Sequence, residues 1–314
     1  MTLVHWDDVD GFDVPPRSRP LAGRWQRLGD AAGSVGVGAQ RVRLGAGDLM
    51  TPPHVHSAEE EIYYVLEGAA TLWQDGRTCE VGNADTLVFV ASGPPHALIG
   101  GESGCEVLVF GHRLTPESGF LPRTGQAWLA HRSVKVQEHH PWHPEAGLGL
   151  PEGEPGDRPP NVVALDDLEG EYGGMSKRLA AAAGAKRSGL NWARLPPGEE
   201  GAPPHCHSAE EEIFVILDGD GTLELWASPQ PGKMPATAPG ETHPVCRGHV
   251  VSRPAGSRVA HCFRGGPRGL TYLAYGTKEP NDICYYPRSN KIFFRGLGLI
   301  ARLEPLDYFD GEPS

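Results

Sequence analysis

Apolar residues in this chain come in short runs separated by turn residues. One series occupies 38–44, 62–66, 69–73, 86–90 and 107–110. A second occupies 190–195, 213–217, 222–226, 249–253 and 271–275. Each run has the length of a strand and falls short of a helix. Gln74-Asp75-Gly76 and Asp218-Gly219-Asp220-Gly221 supply turns between runs. Many short strands at this spacing predict an all-β protein built as a sandwich or barrel. Helical signal is thin, and 177–185 predicts one short helix.

The two series are copies of each other. PPHVHSAEEEIYYVLEG at 52–68 is matched by PPHCHSAEEEIFVILDG at 203–219, an offset of 205 − 54 = 151. The match extends upstream, where 40–44 faces 191–195 and Gly47 faces Gly198. It extends downstream to Thr71-Leu72 against Thr222-Leu223. Between the copies, EHHPWHPEAGLGLPEGEPGDRPPN at 138–161 has a linker's composition, rich in Pro, Gly and charge. The expected organisation is an N-terminal domain over 1–140, a linker over 141–160 and a C-terminal domain over 161–314. The second copy carries an insertion at 228–243, either a surface hairpin or a flap over the barrel mouth. It ends in a tail whose apolar residues (Ile292, Phe293, Phe294, Leu297, Leu299, Ile300, Leu303 and Leu306) are expected to be buried.

Charge narrows the function. The chain of 314 residues has a formal net charge of -12, which disfavours nucleic acid and anionic membranes as partners. No apolar run approaches a membrane span. The first thirteen residues are mixed and acidic, unlike a signal peptide. The six cysteines, at 79, 105, 206, 246, 262 and 284, include no CxxC pair. They read as reduced thiols of a cytoplasmic protein. A small-molecule substrate is the expected partner, together with a second copy of the chain in a homo-oligomer.

The chemistry lies in histidines and a glutamate. His54 and His56 are two apart, so on a strand both imidazoles face the same way. Glu61 directly precedes the next apolar run, and His96 follows on a later strand after Gly93-Pro94-Pro95. The second copy repeats the set as His205, His207, Glu212 and His261. Four N/O donors of this kind suit an octahedral first-row metal with open positions. Of three adjacent glutamates in each copy, spacing selects Glu61 and Glu212. Glu59, Glu60, Glu210 and Glu211 are expected in an exposed turn. From glutamate to last histidine the copies differ, 96 − 61 = 35 against 261 − 212 = 49.

These residues resemble the cupin superfamily. HxHxxxxExxxxxxG, its first motif, is met by His54 to Gly68 and by His205 to Gly219. The second motif, GxxxxxPxGxxHxxxN, is met in part: Gly93 and His96 hold their spacing, whereas His261 falls two residues late after Pro254-Ala255-Gly256. The tail, 279–310, is similar to that of little-characterised bacterial two-domain cupins. The resemblance implies two tandem jelly-roll β-barrels, a bicupin, with a divalent transition metal in each. Iron(II) is the first choice, with manganese, nickel, copper and zinc as alternatives.

Around the ligands, Arg43 and Arg194 match across the repeat and read either as carboxylate anchors of the pocket or as solvated surface arginines. Tyr63 and Phe214, two residues after each ligand glutamate, face inward as core or pocket lining. Cys206 points away from its flanking histidines. His139, His140 and His143 lie in the linker. The resemblance implies O2-dependent oxygenase chemistry on a small molecule. The alternatives are a redox-neutral decarboxylase or isomerase, and a non-catalytic metal- or ligand-binding protein.

Overall fold

The computed structural model describes residues 3–114, 117–129, 142–227, 236, 238–304, 306 and 308–311, and strands dominate it. Two β-barrels follow the two copies. In the first, Val37–Leu44, Glu61–Gln74, Arg77–Gly82, Asp85–Phe89 and His96–His112 pair antiparallel. In the second, Ser188–Leu195, Glu212–Trp226, Glu241–Cys246, His249–Arg253 and Ala260–Thr277 do the same. A smaller sheet in each barrel carries the HxH pair. Val55–His56 lies on Ser118–Leu121, and Cys206–His207 lies on Ile283–Tyr286.

The apolar runs at 62–66 and 69–73 are one strand, as are 213–217 and 222–226. Each bends at a bulge, where the register shifts on either side of Gly68 and Gly219. Both glycines have left-handed φ, +82° and +79°. A Cβ on Gly68 would lie 2.4 Å from the Gly104 carbonyl oxygen. The motif glycine thus ends neither strand; it lets the strand turn from one side of the barrel to the other. The Asp75-Gly76 turn is a true hairpin, with both residues at positive φ. The short helix falls at Leu179–Ala182.

Strand alternation explains why IYYVL and IFVIL are apolar throughout. Tyr63 and Val65 face the interior of the first barrel, and Phe214 and Ile216 that of the second. Ile62, Tyr64, Ile213, Val215 and Leu217 face the other way, into one core shared by both barrels. Phe110 stacks there on Tyr275 at 5.2 Å. A strand buried on both faces has no polar side to alternate with.

The barrels also exchange strands. Leu3–His5 pairs with His249–Arg253 of the second barrel, and Val162–Ala164 pairs with Asp85–Phe89 of the first. Both cross the boundary expected at 141–160. A second repeat, VHWDDVDG at 4–11 against VALDDLEG at 163–170, marks the exchanged segments, and its offset is 163 − 4 = 159. Of the insertion, residues 228–235 and 237 lie outside the described residues, and its end joins the strand Glu241–Cys246. Among the described residues no helix is long and apolar enough to cross a membrane.

The tail departs from expectation. Lys291–Phe294 and Leu299–Arg302 extend the small sheet outward, and Leu297, Leu299, Ile300, Leu303 and Leu306 stay exposed. An edge strand gains its backbone bonds without burying both faces, so the apolar residues here do not report a core. Deleting residues 304–314 is therefore expected to shift the melting temperature by no more than about 2 °C in a thermal scan.

Candidate functional site

Each ligand set is assembled by backbone pairing. His54 and His96 face each other across two main-chain hydrogen bonds of 3.1 Å, and His205 and His261 repeat this at 3.2 and 2.9 Å. From the residue opposite the ligand glutamate to the last histidine the second barrel is one residue longer than the first, 261 − 253 = 8 against 96 − 89 = 7, and in its loop Arg258 takes a left-handed φ of 60°. His261 is therefore placed as His96 is.

In the first barrel, Nε2 of His54, His56 and His96 lie 3.3, 3.4 and 3.2 Å from one oxygen, Oε2 of Glu61. In the second, His205, His207 and His261 lie 3.9, 3.4 and 3.2 Å from Oε2 of Glu212. Ring separations agree closely, at 4.6 Å for both His54–His96 and His205–His261 and 5.0 against 5.1 Å for the HxH pairs. Ligands at right angles about 2.1 Å from a metal sit about 3 Å apart, so both sets have the dimensions of a coordination sphere.

Outer groups fix which nitrogen is free. The Pro52 carbonyl lies 2.8 Å from Nδ1 of His54, and the Pro203 carbonyl lies 2.8 Å from Nδ1 of His205. A carbonyl only accepts, so Nδ1 carries the proton and Nε2 presents its lone pair. Nδ1 of His56 lies 3.4 Å from Glu117, and Nδ1 of His207 lies 2.7 Å from Asp282. Glu117 is held down at about 2 by His56 and the backbone N–H groups of residues 57–59, against the opposing effect of its burial. Asp282 is likewise held at about 2. Burial opposes charge on His56, yet Glu61 and Glu117 on either side raise it to about 10. Burial opposes charge on Glu61 too, and the three imidazoles hold it well below the carboxylate range. Nε2 of His56, His207 and His261 and Oε2 of Glu212 are buried without hydrogen-bond partners, as donors facing a metal are. The residues fit a divalent ion in each barrel.

The remaining glutamates of each triplet are buried, contrary to the exposed turn expected of them. Glu59 accepts from the Leu114 N–H and Glu210 from the Glu279 N–H, both at 2.9 Å or less. Glu60 and Glu211 reach into the opposite barrel.

The surroundings separate the two centres. Tyr63 donates to Glu61 Oε2 at 3.1 Å; Phe214 in its place packs on His261 and donates nothing. Phe89 stacks flat on His96 at 3.6 Å, whereas Arg253 holds the matching register position beside Glu212. A cavity of about 510 Å³ opens on His54, His56 and Glu61, walled by Phe12, Trp25, Trp128 and Trp142. A second cavity of about 550 Å³ also reaches His56 and Glu61 and is lined by Glu59. Arg27 and Gln40 line both.

Arg43 is exposed and paired to Glu106 at 2.8 Å, and Arg194 is exposed on its strand. Both point outward, which rules out the pocket reading for them. Cys206 lies opposite Tyr285. His139 and His140, and the side chain of His143, lie outside the described residues. Sequence reasoning missed Arg27, Glu117, Trp128, Trp142, Asp282 and Cys284. Each joins the site from a segment with no counterpart at the repeat's offset of 151, except Arg27, which precedes a helix the pattern did not mark.

Residues 40–111 match the family described as the cupin domain. No curated protein sequence matches the chain. Among solved structures, it is similar to the oxalate decarboxylase of Lactobacillus farciminis in complex with formate, with 18% identity, a TM-score of 0.59 and coverage of 90% of this chain and 88% of that one. It is also similar to the Bacillus subtilis oxalate decarboxylase at pH 4.6, with 16% identity, a TM-score of 0.56 and coverage of 88% and 75%. A further structure of that enzyme concerns its Mn(II) centres, with 16% identity, a TM-score of 0.57 and coverage of 88% and 76%.

Proposed function

We propose that the chain is a bicupin, two cupin barrels in one polypeptide, and that its first barrel is a metal-dependent centre for redox-neutral chemistry on a carboxylic acid, in the first place decarboxylation. The observation that carries this reading is the first cavity, where a cation, an aromatic wall and three metal-ligand side chains meet. The iron-dependent oxygenase expected from the sequence gains no support. The fold neighbours are oxalate decarboxylases, and one of them has Mn(II) centres. We take a divalent metal as the ion of both barrels, with manganese first in the reactive first barrel.

A bound metal supplies Lewis acidity, which stabilises the electron pair left when CO2 departs. The protein's own residues do the rest. Arg27 stands at the mouth with its guanidinium 5.2 Å over the Phe12 ring, and among the described residues no carboxylate pairs with it. It is free to fork onto a substrate carboxylate. Trp25, Trp128 and Trp142 exclude water. A space of about 510 Å³ is far more than a two-carbon dicarboxylate fills, so the substrate is a larger acid with an apolar or aromatic body. Glu59 lines the second cavity, which shares His56 and Glu61 with the first, and is available to return a proton from there.

The test is a panel of carboxylic acids incubated with metal-loaded protein, reading CO2 release, O2 uptake and bound metal. The expected result is two metals per chain and CO2 without O2 uptake. Stoichiometric O2 uptake would restore the oxygenase reading, and tight binding without turnover would leave a ligand-binding protein. Arg27→Ala is expected to raise KM about 10–100-fold with kcat little changed, and Arg27→Lys to recover only part of it.

A further inference from the structure

We infer that Cys284 is a fifth ligand of the second centre, which makes that barrel a three-nitrogen, one-oxygen, one-sulfur site beside the sulfur-free site of the first. The inference rests on the reading that both barrels bind metal.

The placement begins with register. Ile283–Tyr286 runs antiparallel to Cys206–His207, with Cys284 directly opposite His207. Opposite residues on such a pair share a face, with Cβ atoms about 5 Å apart. Cys284 is 2% exposed. Its Sγ and a ring nitrogen each from His205 and His207 all lie within 4.8 Å of one another. Ligands on opposite sides of a first-row ion are about 4.4 Å apart and those at right angles about 3 Å, so the three atoms are grouped on the scale of one coordination sphere. Three other donors, Nε2 of His207, Nε2 of His261 and Oε2 of Glu212, are buried there without hydrogen bonds.

The first barrel shows that this position is not mere filler. Gly119 stands opposite His56, where Cys284 stands opposite His207. A Cβ on Gly119 would fall 2.0 Å from the Trp128 ring, which lies 6.1 Å from both His54 and His56. One barrel therefore reserves the place for an indole and a substrate cavity, and the other puts a thiol there. Tyr286, on the same face two residues on, stacks on His205 at 5.9 Å. A buried cysteine is usually a small apolar residue; a ligand histidine across the strand pair sets this one apart. Coordination would release the thiol proton to solvent and form a metal–sulfur bond, with no change in oxidation state. A thiolate favours softer ions such as zinc, cobalt or copper over manganese, so the two barrels would sort metals.

The experiment titrates metal-free, full-length protein with cobalt(II), counting bound cobalt and recording the near-ultraviolet thiolate-to-cobalt charge-transfer band. Two cobalt ions per chain with the band, and loss of the band in Cys284→Ser but not in Cys206→Ser, are expected. Two bound ions without the band, or a band that survives Cys284→Ser, would overturn the assignment while leaving both metal centres standing. A chain that binds no cobalt would overturn both it and the metal reading.

Discussion

Glu60→Ala and Glu211→Ala are each expected to lower the unfolding free energy by about 3–5 kcal/mol, seen as a drop in the denaturant midpoint with metal removed from all samples. Glu60 is 1% exposed and sits beside a metal ligand, yet its carboxylate leaves its own barrel. It accepts from the backbone N–H groups of Lys186 and Ser188 at 2.8 and 3.1 Å and from the Ser188 hydroxyl at 2.5 Å. Glu211 answers from the other side, accepting from the N–H groups of Val35 and Gly36 at 3.0 and 2.6 Å and from the Ser34 hydroxyl at 2.7 Å. Alanine strands several buried donors at once, and each stranded donor costs about 1–3 kcal/mol. The sum is not additive, because the loops relax. Gln in place of either Glu should recover little, since its amide turns a donor toward donors. A midpoint within error of wild type would show that water replaces the carboxylate without cost.

The same pairs show what was legible in the sequence and what was not. His54, His56, Glu61 and His96, with their counterparts, could be read because a strand's period of two and a repeated motif determine which residues converge. The inward facing of Tyr63 followed from the same rule, and its hydroxyl lies 3.1 Å from Glu61 Oε2. The middle glutamates were misread because alternation says only that Glu60 points away from Glu61. It does not say that the far side is a second barrel. Arg43 failed for a related reason. Its partner Glu106 is 63 residues away on the neighbouring strand, and only pairing reveals which face is outside. The exchanged strands escaped because their repeat lies at an offset of 159, eight residues off the period that marks the rest. Glu117 and Asp282, 282 − 117 = 165 apart, escaped because the insertion at 228–243 lengthens the period from 151 to 165 before the last ligand histidine (261 − 96 = 165); each carboxylate still follows that histidine by 21 residues.

His96→Ala is expected to abolish turnover, a loss of at least about 10³-fold in kcat, whereas His261→Ala should keep a substantial fraction of it. Both variants should lose one of two bound metals, since the two ligand sets match to about 0.1 Å in most ring separations. The difference lies in what surrounds each metal. Next to the first stand Arg27, the aromatic wall and a cavity large enough for an organic acid. Next to the second stand Arg253, buried and bonded to the Val259 carbonyl, Cys284 opposite His207, and Tyr286 over His205. Catalysis needs room for the substrate at the metal and a group to orient it, and the first barrel has both. Metal content, melting temperature and kcat must be measured on the same samples, because His261 is 2% exposed and its loss also opens a hole in the core. If His261→Ala is inactive at wild-type stability while His96→Ala turns over, the reactive centre is the second.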